Sequence, residues 1–383
     1  MVPPPASSAT TSKWSKKLPW PAKTELVGLA LQLQPLHDAT LYPQYTIGLH
    51  AWFLDQVRQL DPALSAYLHD GQSEKPFTLS GLQHLDISPS GVPTLNSRQI
   101  YTWTITALSQ PVAQWLTQWL QHPPTALTLR NAPLRIIDWG LTELSGSGAM
   151  HPPTTYKTLL NQPISPSPGI ALSFLSPTSF RRNKEHFPLP VPTNLFHSYL
   201  RRWNDFSDIP YDQDDFLSWI DKSVLIRQHH LQSIKTVAGK RGSVTGFTGA
   251  IRLELAKPAL NQPDYVQLFT ALGRLAPYCG TGHKTPFGLG QTRLGWTDAP
   301  TTAPPPSAEA LLAQRIEALT AQFKGQRKRM GGDRATHAAE TWATILARRE
   351  TGESLQTIAT DLEMPYETVK TYAKLARRAL KSD

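Results

Sequence analysis

The sequence predicts an α+β protein: two successive units of interleaved strands and helices, then a small all-helical unit. Three observations carry this. Runs of β-branched and aromatic residues alternate with apolar runs at helical spacing, and the order strand, helix, strands, helix, strand occurs twice. A Pro- and Thr-rich stretch at 298–306, containing TTAPPP, reads as a linker. Beyond it, 307–383 turns rich in Ala, Glu, Arg and Thr, with helical periodicity.

The elements follow in order. Residues 1–22, rich in Pro, Ser and Thr, read as a disordered tail with no core to join. A strand is expected at 25–33. Tyr45, Leu49, Trp52, Phe53 and Val57 then lie on one helix face, with Pro43 just before it as a start signal. A short helix at 60–68, strands at 77–82 and 100–106, a helix at 111–120 and strands at 125–130 and 134–139 complete a first unit, 23–132 with its border inside the last hairpin. A second unit, 133–297, offers a strand at 170–174, a helix at 194–203, strands across 244–255, a helix at 265–276 and a strand at 289–294. This order resembles a ferredoxin-like βαββαβ unit with added pieces. No internal repeat is visible in the sequence, so a duplication would be structural only.

Composition narrows the function classes. The chain has 383 residues, Lys+Arg 38 against Asp+Glu 29, hence a formal charge of +9. Such an excess suits a polyanionic partner such as RNA or DNA. The helical piece at 307–383 holds thirteen basic and ten acidic residues, so most of the excess lies in the main body. Proline reaches 34 residues, nearly twice the usual share of roughly 5%, and must sit in loops, edges and linkers. A single cysteine, Cys279, excludes an internal disulfide and a Cys-based zinc or iron–sulfur site built by this chain alone. The histidines show no metal-ligand spacing, so neither a metal site nor a cofactor is expected. No apolar run approaches the ~18 residues of a membrane span, and the N-terminal stretch lacks a secretory core, so a cytoplasmic protein without membrane contact is expected.

The strongest local signal is the run from Cys279 to Arg293. Gly280, Gly282, Gly288 and Gly290 surround His283 and Lys284, directly after an amphipathic helix. Glycines permit turns with positive φ and let backbone N–H groups approach an anion, while Lys284 and Arg293 add charge for phosphate oxygens. It is not a Walker A loop, because the Gly-Lys-Ser/Thr element is missing and the helix precedes the loop. A plain glycine-rich hairpin stands level with a phosphate cradle on these residues alone.

The run GTGHKTPFGLG resembles the C-terminal glycine-rich loop of the CRISPR-associated precursor-RNA endoribonucleases, the Cas-six family of the RAMP superfamily. Three further stretches resemble that family in the expected order. They are Gly48-Leu49-His50 with the 60–80 segment LDPALSAYLHD…KPFTLS, then Phe174-Leu175-Ser176-Pro177-Thr178-Ser179-Phe180 with Leu189–Pro192 and Arg202-Trp203-Asn204, and finally Gly246-Phe247-Thr248-Gly249. Together they span about 24–297. The resemblance implies tandem ferredoxin-like (RRM-like) domains. It implies metal-independent cutting of CRISPR repeat RNA at the base of a stem-loop, by attack of a 2′-hydroxyl on the adjacent phosphate. It also implies transfer of the product to a CRISPR effector complex.

That chemistry needs a base, an acid and positive charge for the phosphorane. His69 matches the family's catalytic histidine, and its plainer reading is a surface histidine at a helix C-terminus. Lys75 matches a lysine that supports the cleavage site in some members. His50, one position off the apolar helix face, is a second catalytic candidate against the plainer reading of a half-buried helix residue. Arg181, Arg182 and Lys184 are expected on the RNA backbone, against a solvated loop. Trp103, Trp115 and Trp119 could stack on bases, although the spacing of the last two is simpler as core.

In the helical unit, 353–362 and 366–380 flank a Glu-Met-Pro turn and resemble a helix-turn-helix module. Lys370, Lys374, Arg377 and Arg378 form a basic stripe for a second nucleic-acid contact, with a protein-contact domain as the equal alternative. Two other classes stay open for the whole chain: a non-catalytic RNA-binding subunit, and a transcription regulator with an enlarged sensor domain.

Overall fold

A computed structural model describes residues 20–69, 74–87, 93–141, 153–165, 168–183, 185–237, 243–297, 308–325 and 333–380. The expected tail through residue 19, the linker 298–306 and Lys184 lie outside the described residues.

The first unit opens with β1 (Val27–Pro35), a short β2 (Ala39–Thr40), α1 (Tyr45–Leu60) and α2 (Pro62–His69). Next come β3 (Phe77–Leu79), the two short strands β4 (Asp86–Ile87) and β5 (Pro93–Leu95), β6 (Tyr101–Ala107), α3 (Gln110–Trp119), β7 (Ala126–Leu129) and β8 (Ala132–Leu141). The main sheet runs β3-β6-β1-β8-β7, all antiparallel, while β2, β5 and β4 form a small side sheet. α1 buries Tyr45, Leu49, Phe53 and Val57, spaced by four, against this sheet. α3 begins at Ser109 with Pro111 in its first turn, where a missing N–H costs nothing.

The second unit follows α4 (Tyr156–Leu160). It contains β9 (Gly169–Thr178), the hairpin β10 (Phe180–Arg182) and β11 (Glu185–Phe187), α5 (Pro192–Phe206) and α6 (Gln213–Ser223). β12 (Val224–Val237), β13 (Ser243–Leu255), α7 (Pro263–Cys279) and β14 (Thr292–Leu294) complete it. The sheet order is β12-β13-β9-β14. Counted within each sheet, the second runs second, third, first and last strand, and the first runs the same way with its fourth strand, β7, added outside the last at the edge. That shared order makes them two ferredoxin-like domains in tandem, although no sequence repeat announces it.

Two boundaries shift from the sequence reading. β8 pairs with β1 from Leu29↔Leu141 to Pro35↔Leu134, and with β7 on its other side, so the first domain runs to residue 141 rather than 132. The expected tail ends earlier, because Trp20 is buried against the first core and its Nε1 donates to the Ala113 carbonyl at 3.2 Å. Trp103, Trp115 and Trp119 are all core residues as well, so none of them presents a stacking face.

The helical unit consists of α8 (Ala308–Gly325), α9 (Asp333–Glu350), α10 (Leu355–Leu362) and α11 (Tyr366–Leu380). α10 and α11 have the expected helix-turn-helix form. Ser354 caps α10 by accepting from the Thr357 N–H, and Glu363 ends it in the left-handed region at φ 52°. The unit touches both domains. α8 packs on β12, where Lys235 pairs with Glu317 and Val237 joins the helical core. Arg130, at the β7–β8 turn, binds Glu353 at 2.9 Å and Asp361, carboxylates that the fully buried Arg348 also holds. Among the described residues, no helix is long and apolar enough to cross a membrane.

Candidate RNA interface and cleavage site

α7 ends at Cys279 because Gly280 takes φ 65°, and the chain turns back across the domain boundary. Gly282 at φ 79° and Gly290 at φ 69° have no room for a side chain: a Cβ would lie 2.2 Å from the Ser179 carbonyl oxygen and 2.0 Å from that of Thr281. These glycines are required by close backbone approach. Their N–H groups are already spent on protein acceptors. Gly280 donates to Ala276, Gly282 to Ser198 Oγ at 2.9 Å, and Gly290 to Pro177. Thr281 donates to Gly290 and His283 to Ser179. The expected backbone cradle for phosphate is thus not what Gly280, Gly282 and Gly290 provide. They shape a loop whose charge comes from side chains. Gly288, at φ 82°, packs instead against the Ser80–Gly81 backbone of the first domain.

Beside this loop lies a cleft of about 450 Å³ between the two domains. Lys75 and Glu74 line it from the first domain. Arg181, Arg201, Arg202, His283 and Lys284 line it from the second. Glu74 is its only carboxylate among the described lining residues, and it is already paired with Arg201 and Arg202. The cleft is therefore strongly cationic. Lys284 sits in the left-handed region at φ 60°. Burial, and then neighbouring Arg181, push its ammonium down to about 8, with Glu340 of α9 acting in the other direction. Burial holds His283 down at about 4, so it is neutral near pH 7. Its Nδ1 bonds the Ser179 carbonyl at 2.8 Å and its ring stacks on His186 at 5.3 Å.

The structure brings some predicted residues together and separates others. His69 ends α2 with an exposed side chain. Its Nδ1 lies 2.7 Å from the Ser65 carbonyl. A carbonyl only accepts, so Nδ1 carries the proton and Nε2 holds the lone pair of the neutral ring. Lys75 donates to the Leu68 carbonyl at 2.8 Å, one residue from His69, and so ties this helix end to the cleft wall. Like His69, His50 is not among the residues that line the cleft. Its ring stacks on Phe287 of the loop at 4.3 Å, with Phe77 behind it at 6.0 Å. Arg181 and Arg182 are exposed on β10, with Arg182 over the Phe187 ring at 5.6 Å. Arg293 lies elsewhere: it lines a separate crevice with Thr104, Thr106 and Gln291, and its Nε is buried without a hydrogen bond.

Sequence reasoning missed the residue that assembles the site. Arg202 reads as a charge near a helix end, yet its side chain is 6% exposed. It donates to the Gly282 carbonyl at 2.8 Å and to Ser198 Oγ at 2.8 Å, and it pairs with Glu74 at 3.5 Å. Asp205 accepts from the Glu74 N–H. One buried guanidinium thus joins the glycine-rich loop, α5 and the segment leading to Lys75. The Arg-Trp-Asn triplet was the only trace of it in the sequence.

Tandem ferredoxin-like domains with a glycine-rich loop closing a basic cleft define a RAMP-type RNA-processing protein. Comparison with known proteins narrows the class. A family model for "CRISPR-associated endoribonuclease Cas6" matches residues 172–292, and one for the "CRISPR Cas6 N-terminal domain" matches 27–137. Together they take in more than half of the chain, which belongs to the Cas6 family. One similar solved structure is a Cas6 product complex, 25% identical, covering 70% of this chain and 100% of that one, with TM-score 0.57. Another Cas6 product complex is 25% identical over 70% of this chain and 99% of that one, with TM-score 0.53. A Cas6 from Thermus thermophilus, 23% identical over 71% and 99%, shares the fold at TM-score 0.52. No curated protein matches the sequence.

Proposed function

We propose that this chain is a metal-independent endoribonuclease that cuts CRISPR repeat RNA at the base of a stem-loop. The observation that carries the reading is the hydrogen bond from Lys75 to the carbonyl beside His69, which joins a histidine with an available lone pair to the cationic cleft. His69 Nε2 takes the proton of the ribose 2′-hydroxyl. The 2′-oxygen attacks phosphorus, and the bond to the 5′-oxygen breaks. The leaving oxygen takes up a proton from water, giving a cyclic phosphate and a 5′-hydroxyl. Lys75 offsets the charge of the phosphorane. Lys284 and Arg181 hold adjoining phosphates, and an A-form stem read by shape and backbone suits such scattered cations. His50, stacked on Phe287, is proposed to brace the loop, not to carry a proton. The product hairpin is proposed to stay bound and pass to a CRISPR effector complex, a partner supported by the family likeness.

The test is cleavage of end-labelled repeat RNAs in EDTA, with the products mapped. A single cut leaving a 5′-hydroxyl, lost by about 10²–10⁴-fold in His69→Ala with hairpin binding retained, is the expected result. Hairpin binding without cutting by the unmodified chain would leave an RNA-binding subunit instead.

A further inference from the structure

We propose that the C-terminal helices form a second nucleic-acid site, for double-stranded DNA, with α11 as the helix that enters the major groove. This does not rest on the reading of RNA cleavage. The first observation is the partition of α11 into two faces. Val369, Ala373 and Ala376 are buried, the first two against Ile345 of α9 and Ile358 and Leu362 of α10. Tyr366, Glu367, Lys370, Lys374, Arg377 and Arg378 are exposed beside that buried strip, with Lys370 at 3.4 Å from Glu367. At 1.5 Å per residue this 15-residue helix spans ~22 Å, about two thirds of a turn of duplex. Its outer face is left open along that length, so the fold presents the helix and does not use it as core.

The second observation is a cleft of about 650 Å³ between α9 and α11. Arg349, Lys374, Arg377 and Arg378 line it. Glu350 is the one carboxylate among the described lining residues, and Arg315 already grips it at 2.7 and 2.9 Å. Arg349 is anchored on this wall by its guanidinium, which donates to the Glu353 carbonyl, while its Nε has no hydrogen-bond partner among the described residues. Several guanidinium and ammonium groups beside one matched carboxylate fit a phosphate backbone.

Duplex form decides between the two nucleic acids. The major groove of B-form DNA, about 12 Å wide, admits an α-helix. The major groove of A-form RNA is deep and too narrow for one. A short helix, a tight turn at Glu363 and a longer exposed helix therefore fit DNA.

The experiment measures anisotropy of a labelled mixed-sequence DNA duplex of about 20 bp, with the full chain, from about 50 to 200 mM NaCl. With three to four phosphates contacted, log K should fall with log[salt] at a slope of roughly −3 to −4. Changing Lys374, Arg377 and Arg378 together to Ala should flatten the slope by about 2 to 3 and weaken binding at least about tenfold at the lower salt. The charge-keeping variant Lys374→Arg, Arg377→Lys, Arg378→Lys should bind within about twofold of the unmodified chain, and circular dichroism reports whether both variants are folded. Three results would each overturn the proposal: no DNA binding at the lowest salt, equal DNA binding by the folded Ala variant, or a duplex RNA of the same sequence competing as well as DNA.

Discussion

Replacing Arg202 by Met should separate the two walls of the cleft. The side chain is buried and carries bonds to Gly282, Ser198 and Glu74 that a thioether cannot make. Its loss strands the Gly282 carbonyl, and Glu74, 18% exposed, keeps only Arg201 on the solvent side. Removing one partner from a buried pair costs about 3–5 kcal/mol. At roughly 2–4 °C per kcal/mol for a body of this size, the melting temperature should fall by about 6–20 °C. The chemistry should suffer separately, because Lys75 follows Glu74 and Lys284 follows Gly282 by only one or two positions. A displacement near 1 Å is enough for about a hundredfold loss in kcat. Arg202→Lys keeps the charge without the planar fork, so it should recover stability more than turnover. The assays are a thermal melt and single-turnover cleavage of repeat RNA at a temperature where all variants are folded. A Met variant that melts within about one degree of the parent and cuts at the same rate would refute the reasoning.

Three further outcomes follow from the same geometry. On the proposed function Lys284 meets phosphate as a cation, and burial lowers its ammonium to about 8, so binding takes up a proton above that pH; repeat-RNA affinity should drop as pH rises past about 8, measured by filter binding, and Lys284→Met should remove the dependence. Glu309 lies against Tyr45, and burial pushes its carboxyl up to about 7; because its folded value is raised, stability is greatest below its unfolded value of 4.5 and is lost as pH rises through about 7, so melts at pH 5 and 8 should differ in that direction and Glu309→Gln should narrow the gap. Arg130→Ala removes one cation from Glu353 and Asp361 while Arg348 remains; a loss of about 1–3 kcal/mol should appear as faster amide exchange in α10 and α11.

Elements whose signals are local were legible before the structure. α10, its turn and α11 were readable residue by residue, because a Ser N-cap, a proline after the turn and apolar positions three and four apart all agree. α1 announced itself by its spacing. β12 did not, because Leu225 to His230 are all exposed and a bulge falls between Ile226 and Gln228, so no alternation survives to be read. α6 carried a signal that went unread: Asp212 caps it, and Phe216, Trp219 and Ile220 follow at helical spacing. The site was half legible. Glycines mark where the backbone must fold tightly, but whether their N–H groups face a ligand or another carbonyl depends on Pro177, Ser179 and Ser198, a hundred or so residues away. The buried ion pair of Arg202 depends on Glu74, 128 positions earlier, and helix periodicity is silent on partners at that range.

The three folded units meet pairwise. Glu74 and Thr78 tie the first domain to the second, Lys235 ties the second to the helices, and Arg130 ties the helices back to the first. Two bodies joined along one seam make a hinge, whereas three bodies joined in a ring make a truss. Opening the cleft here works against the contacts that the helical unit makes with both domains. A chain cut after the second domain would keep every lining residue of the cleft and lose the unit that bridges the two domains.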